Sequence, residues 1–446
     1  MISVLKTFLR YWLRATLTIF GLFKFKHFLI PNEYTLNILR NTSIFINFNE
    51  INVRFLNRWH EANVLFEIGN FYKSVAMHRE LLTDLRHLMQ MDSLPSTYSY
   101  QFGSNIGHVA VLYMHQSAQN LSILPKRRML LPRCGSDLQL TWLKFLKGDV
   151  TLSLTTNNSS FTELPTNWPF VENLRLFSVD DDYIDQYSFF EKYFKVRQFN
   201  SLDSFEFPVG YFETAQEQLK RLGIRPGNPF VSLHVRNGNG VGVRRAQNPA
   251  NYVKSIRELI SLGYQVIRIG DKDMDAIPEL QHLIDLRDAR HHWLHPFVLG
   301  EAKLHIGTMS GPSIMSMALQ TPTLVTNATS LARNTLTGNS HTFFLPKHLF
   351  IKGRELNLRE SLQNTEGYSE IDGRDLQKRS ILYVENSEEE ILRATCEVIQ
   401  YLETNSFGTE FKNLNTKIDS IRKEANALSY GKFAVSFCML NPNFFE

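Results

Sequence analysis

Cysteine is scarce: the 446 residues hold three, Cys134, Cys396 and Cys438, far apart and in no CxxC pair. That spacing excludes a zinc ribbon and a disulfide framework, and points to a reducing compartment. The apolar N-terminal segment lacks a run long enough to cross a bilayer, its longest uncharged stretch being Ala15 to Phe23. Charges are spread through that segment and no small-residue cleavage site follows, which argues against a secretory signal. A large charge of one sign is also missing. The net charge of +4 is too small to indicate a nucleic-acid partner. There is no GxGxxG in a tight strand-to-helix turn, so a nicotinamide fingerprint is not read.

What is present is a chain of ordinary globular composition, 43% hydrophobic and 21% charged, long enough for two domains. Three β-branched apolar runs stand out. Phe230 to Val235 ends in His234 and Arg236, Tyr264 to Ile269 ends in Gly270 and Asp271, and Leu304 to Ile306 leads into Thr308, Ser310, Gly311 and Ser313. Helical patterns separate them: Tyr211 to Gly223, Pro249 to Leu262, Pro296 to Ala302 and Ile314 to Leu319, with a last strand at Pro322 to Thr326 and a further short unit at Leu283 to Leu286. Strands alternating with helices predict a parallel sheet with right-handed crossovers. The carboxyl ends of such strands line one crevice, where ligands bind. The residues delivered there suit a sugar-nucleotide diphosphate.

The chemistry turns on where negative charge must be held. Glycosyl transfer expels a nucleoside diphosphate, so charge grows on its β-phosphate. A guanidinium at a rigid strand end, Arg236, meets two phosphate oxygens at once. Backbone N–H groups of Ser310, Gly311 and Ser313 at a helix N-terminus add donors and a favourable dipole. The hydroxyls of Thr308 and Ser310 supplement them, and together they stabilise the leaving group without a metal. His234, Asn237, Gly270, Arg244 and Arg245 are further donor-binding candidates; the last two follow the glycine-rich turn Asn237 to Gly242. Asp271 is placed to accept bonds from the base or ribose. Each residue alone also has a structural reading, Arg236 as an ion-pair partner and Ser310 to Pro312 as a helix cap. It is the convergence of three strand ends that favours a site.

The remainder of the chain adds candidates. Residues 1–31 form a basic segment with Lys6, Arg10 and Arg14 on one helical face and Leu5, Phe8, Leu9, Trp12, Leu13 and Leu17 on the other. This suits either an interfacial helix on an anionic membrane or a helix packed on the protein itself. Ser96 to Phe102 predicts a strand, Gly103 to His108 a turn, Val109 to Gln116 a helix, and Leu121 to Leu124 a next strand. His108 would sit at a helix N-terminus, as a general base or as a residue that closes the turn. Asp180 and Asp182 are read as a solvated turn capping a helix from Ile184 to Val196. The alternative is a metal site of the DxD type in a metal-dependent transferase. Ile351 to Ser380 reads as an irregular loop. Ser387 to Thr404 reads as a helix opened by a Ser387–Glu390 capping box, and about Thr409 to Leu428 as a later helix.

On these residues the sequence resembles a known family. His234 to Arg236, Val266 to Asp271 and Ile306 to Gly311 match, in order, the HVR, VIRxGD and IGTxSG motifs of bacterial glycosyltransferases from surface-polysaccharide loci. That group is distantly similar to the nodulation and protein O-fucosyltransferase superfamily. Gly107 and His108 resemble its IGH element, and Phe444 and Phe445 its aromatic tail. Asn237, Asn239 and His295 depart from the usual residues. The resemblance implies an α/β fold of the GT-B kind, two Rossmann-like domains facing a cleft, with the amphipathic helix at the N-terminus. The expected boundaries are 32–205 for the acceptor-side domain, 206–400 for the nucleotide-sugar domain and 401–446 for a helix returning to the first. It implies a metal-independent, inverting transfer with no cofactor. The donor is a nucleotide-diphosphate sugar, a GDP-sugar being favoured, and Arg236 and His108 are the catalytic residues. The acceptor is a surface glycan or a lipid-linked glycan, made in the cytoplasm at the inner face of the membrane, with no nucleic-acid partner. The rival outside catalysis is a nucleotide-sugar-binding protein without turnover.

Overall fold

The computed structural model of the chain describes scattered positions between 58 and 81, then 96–98, 106–124, 129–132, 150–153, 171–172, 176–179 and 182–185. From 207 onward it describes all but 208, 226, 237–246, 278–279, 330–340, 364–379, 426–430 and 446. The N-terminal segment 1–31, Asn237, Arg244 and Arg245 lie outside the described residues. The chain divides into two compact α/β units: Met1–Gln101, Arg127–Cys134 and Asp149–Asp185 form one, and Phe102–Lys126, Gly135–Gly148 and Gln186–Glu446 the other.

The first unit holds β1 (Ser96–Tyr98), β2 (Met129–Pro132), β3 (Val150–Ser153) and β4 (Val171–Glu172). They form a parallel sheet in the order β3-β2-β1-β4. The segment Leu121 to Leu124, expected to be a strand, is instead a turn that buries Ile123 and Leu124. A second correction concerns the acidic cluster. β5 (Leu176–Val179) and β6 (Asp182–Asp185) pair antiparallel, with Val179 opposite Asp182, so Ile184 lies in a strand rather than at the start of a helix, and Asp180 lies outside the described residues. Tyr183 and Ile184 continue the ladder, opposite Ser178 and Phe177.

The second unit is built on seven parallel strands in the order β16-β12-β11-β10-β7-β8-β9. They are β7 (Phe230–His234), β8 (Gln265–Arg268), β9 (Leu283–Asp285), β10 (Leu304–Gly307), β11 (Thr323–Ala328), β12 (Thr342–Pro346) and β16 (Lys432–Phe433). All six pairings are parallel. In chain order β7 to β12 read 3-2-1-4-5-6, the doubly wound arrangement, and the first sheet repeats its 3-2-1-4 portion. Strands β7, β8, β10, β11 and β12 are buried throughout, as a sheet covered on both faces requires.

Helices complete the layers. They are α1 (Ile106–Asn120), α2 (Tyr211–Arg221), α3 (Val253–Ser261), α4 (His295–Glu301), α5 (Gly311–Ala318), α6 (Leu358–Gln363), α7 (Glu388–Thr404), α8 (Thr409–Glu424) and α9 (Val435–Leu440). Gly223 and Gly263, at φ 96° and 90°, end α2 and α3 where the sequence placed the breaks. Val231, Leu233, Ile306, Leu324 and Phe343 of the sheet pack with Ile391 and Val398 of α7 and Phe411 and Ile418 of α8 in one core. Each such side chain contributes about 1.5–3 kcal/mol by burial. Helix α8, expected to return to the first domain, therefore packs in the second unit. Residues 351–363, expected to be irregular, contain strand and helix. β13 (His348–Ile351), β14 (Arg354–Glu355) and β15 (Ile381–Val384) form an antiparallel sheet followed on one side by α6.

The capping box of α7 forms as its sequence predicts, Ser387 accepting from the Glu390 N–H and Glu390 from the Ser387 N–H. Glu390 also receives His348 Nε2 at 3.0 Å, while His348 Nδ1 lies 2.6 Å from Glu355. Burial disfavours the charged form of both groups, but the hydrogen bonds outweigh it. Glu390 is held down to about 2, and His348 is raised above its ordinary 6.5. The link's stabilisation is fully present between the ordinary Glu value of 4.5 and the ordinary His value of 6.5. It is lost as pH rises through the raised His348 value, and as pH falls toward about 2. In thermal melts across pH, His348→Gln is expected to lower Tm most near pH 6 and progressively less above neutrality; an equal loss at every pH would show that the imidazolium is not involved.

Candidate functional site

In a doubly wound sheet the crossovers leave in opposite directions on either side of the first and fourth strands, which opens a crevice at their carboxyl ends. Here those strands are β7 and β10, paired in register with Gly307 opposite His234. Arg236 follows β7 by two residues and is half-buried; among the described residues no carboxylate pairs with it. Its carbonyl accepts from the Gln247 N–H at 3.2 Å, which fixes the direction of the chain leaving β7. Ser310 lies across from it, as the N-cap of α5, with extended backbone. The two strand ends are joined directly: Ser310 Oγ lies 3.0 Å from His234 Nδ1.

That bond diverts Ser310 from its usual work. An N-cap serine ordinarily accepts from an amide of its own helix, but this one makes no such bond. The N–H groups of Gly311 and Ser313 have no intrahelical partner in the first turn, and Pro312 carries none. Ser313 Oγ donates to the Thr308 carbonyl at 2.6 Å and lies 3.3 Å from His305 Nε2, whose Nδ1 meets Ser232 Oγ at 2.9 Å. Thr308 Oγ1 is fully buried and has no hydrogen-bond partner in the structure. Such a group costs about 1–3 kcal/mol unless a ligand or water satisfies it.

Two glycines make this packing possible. A Cβ on Gly307 would stand 2.5 Å from both His305 Nε2 and Ser313 Oγ. A Cβ on Gly311 would stand 2.6 Å from the backbone nitrogen of Gly107, so the N-terminal turns of α1 and α5 meet backbone to backbone. The helix that carries His108 thus packs against α5 within the second unit. The backbone of His108 lies in its first turn.

The floor of the crevice is rich in cations and neutral imidazoles. Burial, then the neighbouring His305, Arg236, His295 and Arg268, hold His234 well below the usual imidazole range. Burial alone lowers His305 to about 3, and burial chiefly lowers His295 to about 3. These three rings are therefore neutral near pH 7. Arg268, fully buried at the end of β8, is lowered to about 10 by burial and by Arg287. Its Nη2 donates to the Asp275 carbonyl, and Arg287 donates to the Met274 carbonyl and to both oxygens of Asp285. Two guanidiniums thereby pin the loop after β8. Gly270 opens that loop at φ 143°, where a Cβ would strike Met274 Sδ at 2.5 Å and lie 3.6 Å from His234. Asp271 follows and is exposed.

The structure therefore brings together His234, Arg236, Gly270, Asp271, Thr308, Ser310, Gly311 and Ser313 on adjoining strand ends. Sequence reasoning passed over Arg268, His305 and Ser232. The signal available was a polar residue inside each buried run, which must find a partner there. It also passed over a second layer: Tyr252 OH lies 2.6 Å from Thr326 Oγ1, which donates to the Gly307 carbonyl at 3.1 Å. Among the described residues no group of three or more His, Cys, Asp or Glu could hold a metal ion, and no helix is long and apolar enough to cross a membrane.

No family model and no curated protein matches the chain. Solved structures similar to it include the family 9 glycosyl transferase from Veillonella parvula, at 10% identity and TM-score 0.38 over 57% of this chain and 85% of that one. Another is E. coli ADP-heptose lipopolysaccharide heptosyltransferase II, at 10% identity and TM-score 0.40 over 58% and 92%. A third is the iron-containing dodecameric glycosyltransferase TibC of enterotoxigenic E. coli, at 14% identity and TM-score 0.40 over 70% and 76%. At these scores the fold assignment rests on the strand order of the chain's own sheets.

The two glycine environments make opposite predictions. Gly311→Ala is expected to cost about 1–3 kcal/mol by overpacking against a backbone that has no room to give. Gly300→Ala, inside α4 with its nearest neighbours 3.9 Å away, is expected to gain about 0.5–1 kcal/mol. Urea unfolding of the two variants, showing no difference between them, would contradict the close approach of α1 and α5.

Proposed function

We propose that the protein is a glycosyltransferase of the GT-B kind, moving a sugar from a nucleotide-diphosphate sugar to a glycan or lipid-linked acceptor. The observation that supports it is the switch-point crevice. There Arg236, two residues past β7 and with no carboxylate partner among the described residues, adjoins the uncapped N-terminus of α5, the two strand ends being joined by a bond of 3.0 Å between His234 and Ser310. Both are features that take an anion, and they sit where a doubly wound sheet binds nucleotides.

In this reading the diphosphate lies across the junction. Arg236 holds two oxygens of the β-phosphate, and the amides of Gly311 and Ser313 hold the remaining oxygens. As the glycosidic bond to the β-phosphate breaks, negative charge grows on that phosphate, and these fixed donors stabilise it more in the transition state than in the ground state. The charge is met by protein donors, so the transfer needs no metal. The acceptor hydroxyl attacks from the opposite face with inversion, its proton leaving to a base for which His108 is the candidate. Asp271 faces the nucleoside. The donor is a nucleotide-diphosphate sugar, with GDP favoured by the motifs, and the basic segment 1–31 would hold the enzyme at the inner membrane surface.

A thermal-shift panel of GDP-, UDP-, dTDP- and CMP-sugars, with and without chelator, tests the reading. A ligand at a hundred times its Kd stabilises by about 2.7 kcal/mol. At least one nucleoside-diphosphate sugar is expected to raise Tm equally with and without chelator, and Arg236→Ala to abolish the shift and to reduce kcat by about 10²–10³. An Arg236→Ala variant with unchanged binding and turnover removes the proposed role; a shift that disappears with chelator favours a metal-dependent transferase.

A further inference from the structure

Arg236 stands beyond the support of its own sheet. β7 ends at His234, and its last ladder partners are Gly307 on β10, opposite His234, and Arg268 on β8, opposite Leu233. Past that point, among the described residues, the backbone of Arg236 is fixed by the bond its carbonyl accepts from the Gln247 N–H. The guanidinium is therefore placed only as firmly as Gln247 is. Gln247 is buried, and its side chain reaches two ways: Oε1 accepts from Tyr252 OH, and Nε2 donates to the Thr326 carbonyl at 3.4 Å. The next residue, Asn248, caps the short 3-10 turn Pro249–Tyr252, its Oδ1 accepting from the Ala250 N–H at 3.0 Å.

The N–H of Asn248 itself lies ahead of that turn and finds no acceptor within it. Glu385, which follows β15, supplies one. Its Oε2 accepts from the Asn248 N–H at 2.8 Å and from Asn251 Nδ2 at 3.4 Å. The neighbouring Asn386 ties down the adjacent strand ends. Asn386 Oδ1 accepts from the Asn327 N–H, and Asn327 Oδ1 from the Asn386 N–H, both at 2.7 Å. Asn386 Nδ2 donates to the Pro346 carbonyl at 2.7 Å, and the Asn386 carbonyl accepts from Asn251 Nδ2 at 3.1 Å. Asn327 sits at φ 55°, in the left-handed region that asparagine tolerates better than most residues. Glu385 and Asn386 thus gather the ends of β11 and β12, and the chain at Asn248, onto the start of α7. That start is itself fixed by the Ser387–Glu390 capping box.

We infer that Glu385 is a positioning residue for donor binding: by holding Asn248 it holds Gln247, and through Gln247 it sets where Arg236 meets the diphosphate. The inference rests on the donor-site reading and extends it to a residue that does not touch the ligand. What Glu385 contributes is an acceptor oxygen at a given reach, since the groups it serves are a backbone N–H and a side-chain amide, both neutral. Its charge is not the purpose, because a carboxylate does nothing to favour an anion. The buried Lys347, whose charged form Glu385 favours, offsets that charge.

Calorimetric titration of the full chain with GDP, UDP and ADP tests this. For whichever of them binds, Glu385→Ala is expected to weaken affinity about tenfold, since a small misplacement of a fixed donor is costly. Glu385→Asp keeps the charge but withdraws the acceptor by one carbon, and is expected to weaken binding to a similar degree. Glu385→Gln keeps the acceptor at the same reach without the charge, and is expected to restore affinity to within about twofold of native. Arg236→Lys keeps a cation but not the rigid two-oxygen fork; on that background the further cost of Glu385→Ala is expected to fall below about twofold. Glu385 is half-buried, so the Gln and Asp variants keep the test open should Glu385→Ala fail to fold. Native affinity in Glu385→Ala or Glu385→Asp overturns the role while leaving the donor reading intact. So does a Gln variant as weak as the Asp variant, or a Glu385→Ala cost that is the same with Arg236 and with Lys in its place. Failure of every nucleoside diphosphate to bind the native chain overturns the donor reading and this role with it.

Discussion

A single hydrogen bond governs the geometry of the crevice: Ser310 Oγ to His234 Nδ1, 3.0 Å, between the ends of the two strands at which the sheet reverses direction. Elsewhere in the sheet the backbone ladder sets the spacing of neighbours. Beyond the last ladder pair, Gly307 with His234, only side chains can do so. The bond does this while being neutral on both sides, because burial and the surrounding cations keep His234 from protonating. A charged histidine here would be repelled by Arg236 and Arg268; a neutral one avoids that repulsion and still fastens the serine. The serine's diversion from capping then leaves the first amides of α5 unclaimed. One bond thus positions the strand ends and keeps the helix end available.

The small residues around it follow from the same constraint. For Ser313 Oγ to reach both the Thr308 carbonyl and His305, the chain between them must pass with no side chain in the way, which is the position of Gly307. For α1 to lie against α5 at its first turn, backbone must touch backbone, which is the position of Gly311 facing Gly107. Neither glycine has positive φ, so neither is there for a turn. They are there because the space a methyl group would take is already occupied by polar atoms that need each other, and close packing forbids both. Residues some two hundred positions apart are brought to one point by the absence of a Cβ.

The strand ends were legible in the sequence because they combine two strong signals. A buried parallel strand reads as an unbroken β-branched run, and the residues that interrupt it mark its carboxyl end. Phe230 to His234 and Gln265 to Arg268 fall within the runs that predicted them, and Leu304 to Gly307 extends its run, Leu304 to Ile306, by one residue. The capping box of α7 was legible for a similar reason, since Ser387 and Glu390 carry their own geometry. The helix expected from Ile184 is a strand instead, because aspartates ahead of an apolar run read locally as a cap while the pairing of Val179 with Asp182 is a tertiary fact. Leu121 to Leu124 was misread because a short apolar run does not reveal whether it continues a sheet or closes a helix. The placement of α8 was set by Phe411 and Ile418 meeting Phe343, a contact no local pattern announces.

The distribution of charge beneath the site is the costlier part of the design. Arg268 is fully buried, with Nε and Nη1 lacking hydrogen-bond partners; Asp285, 3.9 Å from Nη1, and Asp275 offset its charge, and Asp285 is already held by Arg287. Burying a guanidinium so incompletely paired is expensive, and an apolar side chain of similar size would be cheaper. The sheet tolerates it because the guanidinium does two things an apolar residue cannot. It reaches the Asp275 carbonyl and so holds the loop that presents Asp271, and it adds a positive charge behind His234. The same charge that depresses the histidine also raises the affinity of the crevice for an anion above it, since in a poorly hydrated site the two act through the same low dielectric. Folding stability is therefore surrendered at β8 to make the strand ends both rigid and electropositive, and a buried arginine is the one side chain long enough to brace the loop while remaining charged under all conditions in which the crevice would be occupied.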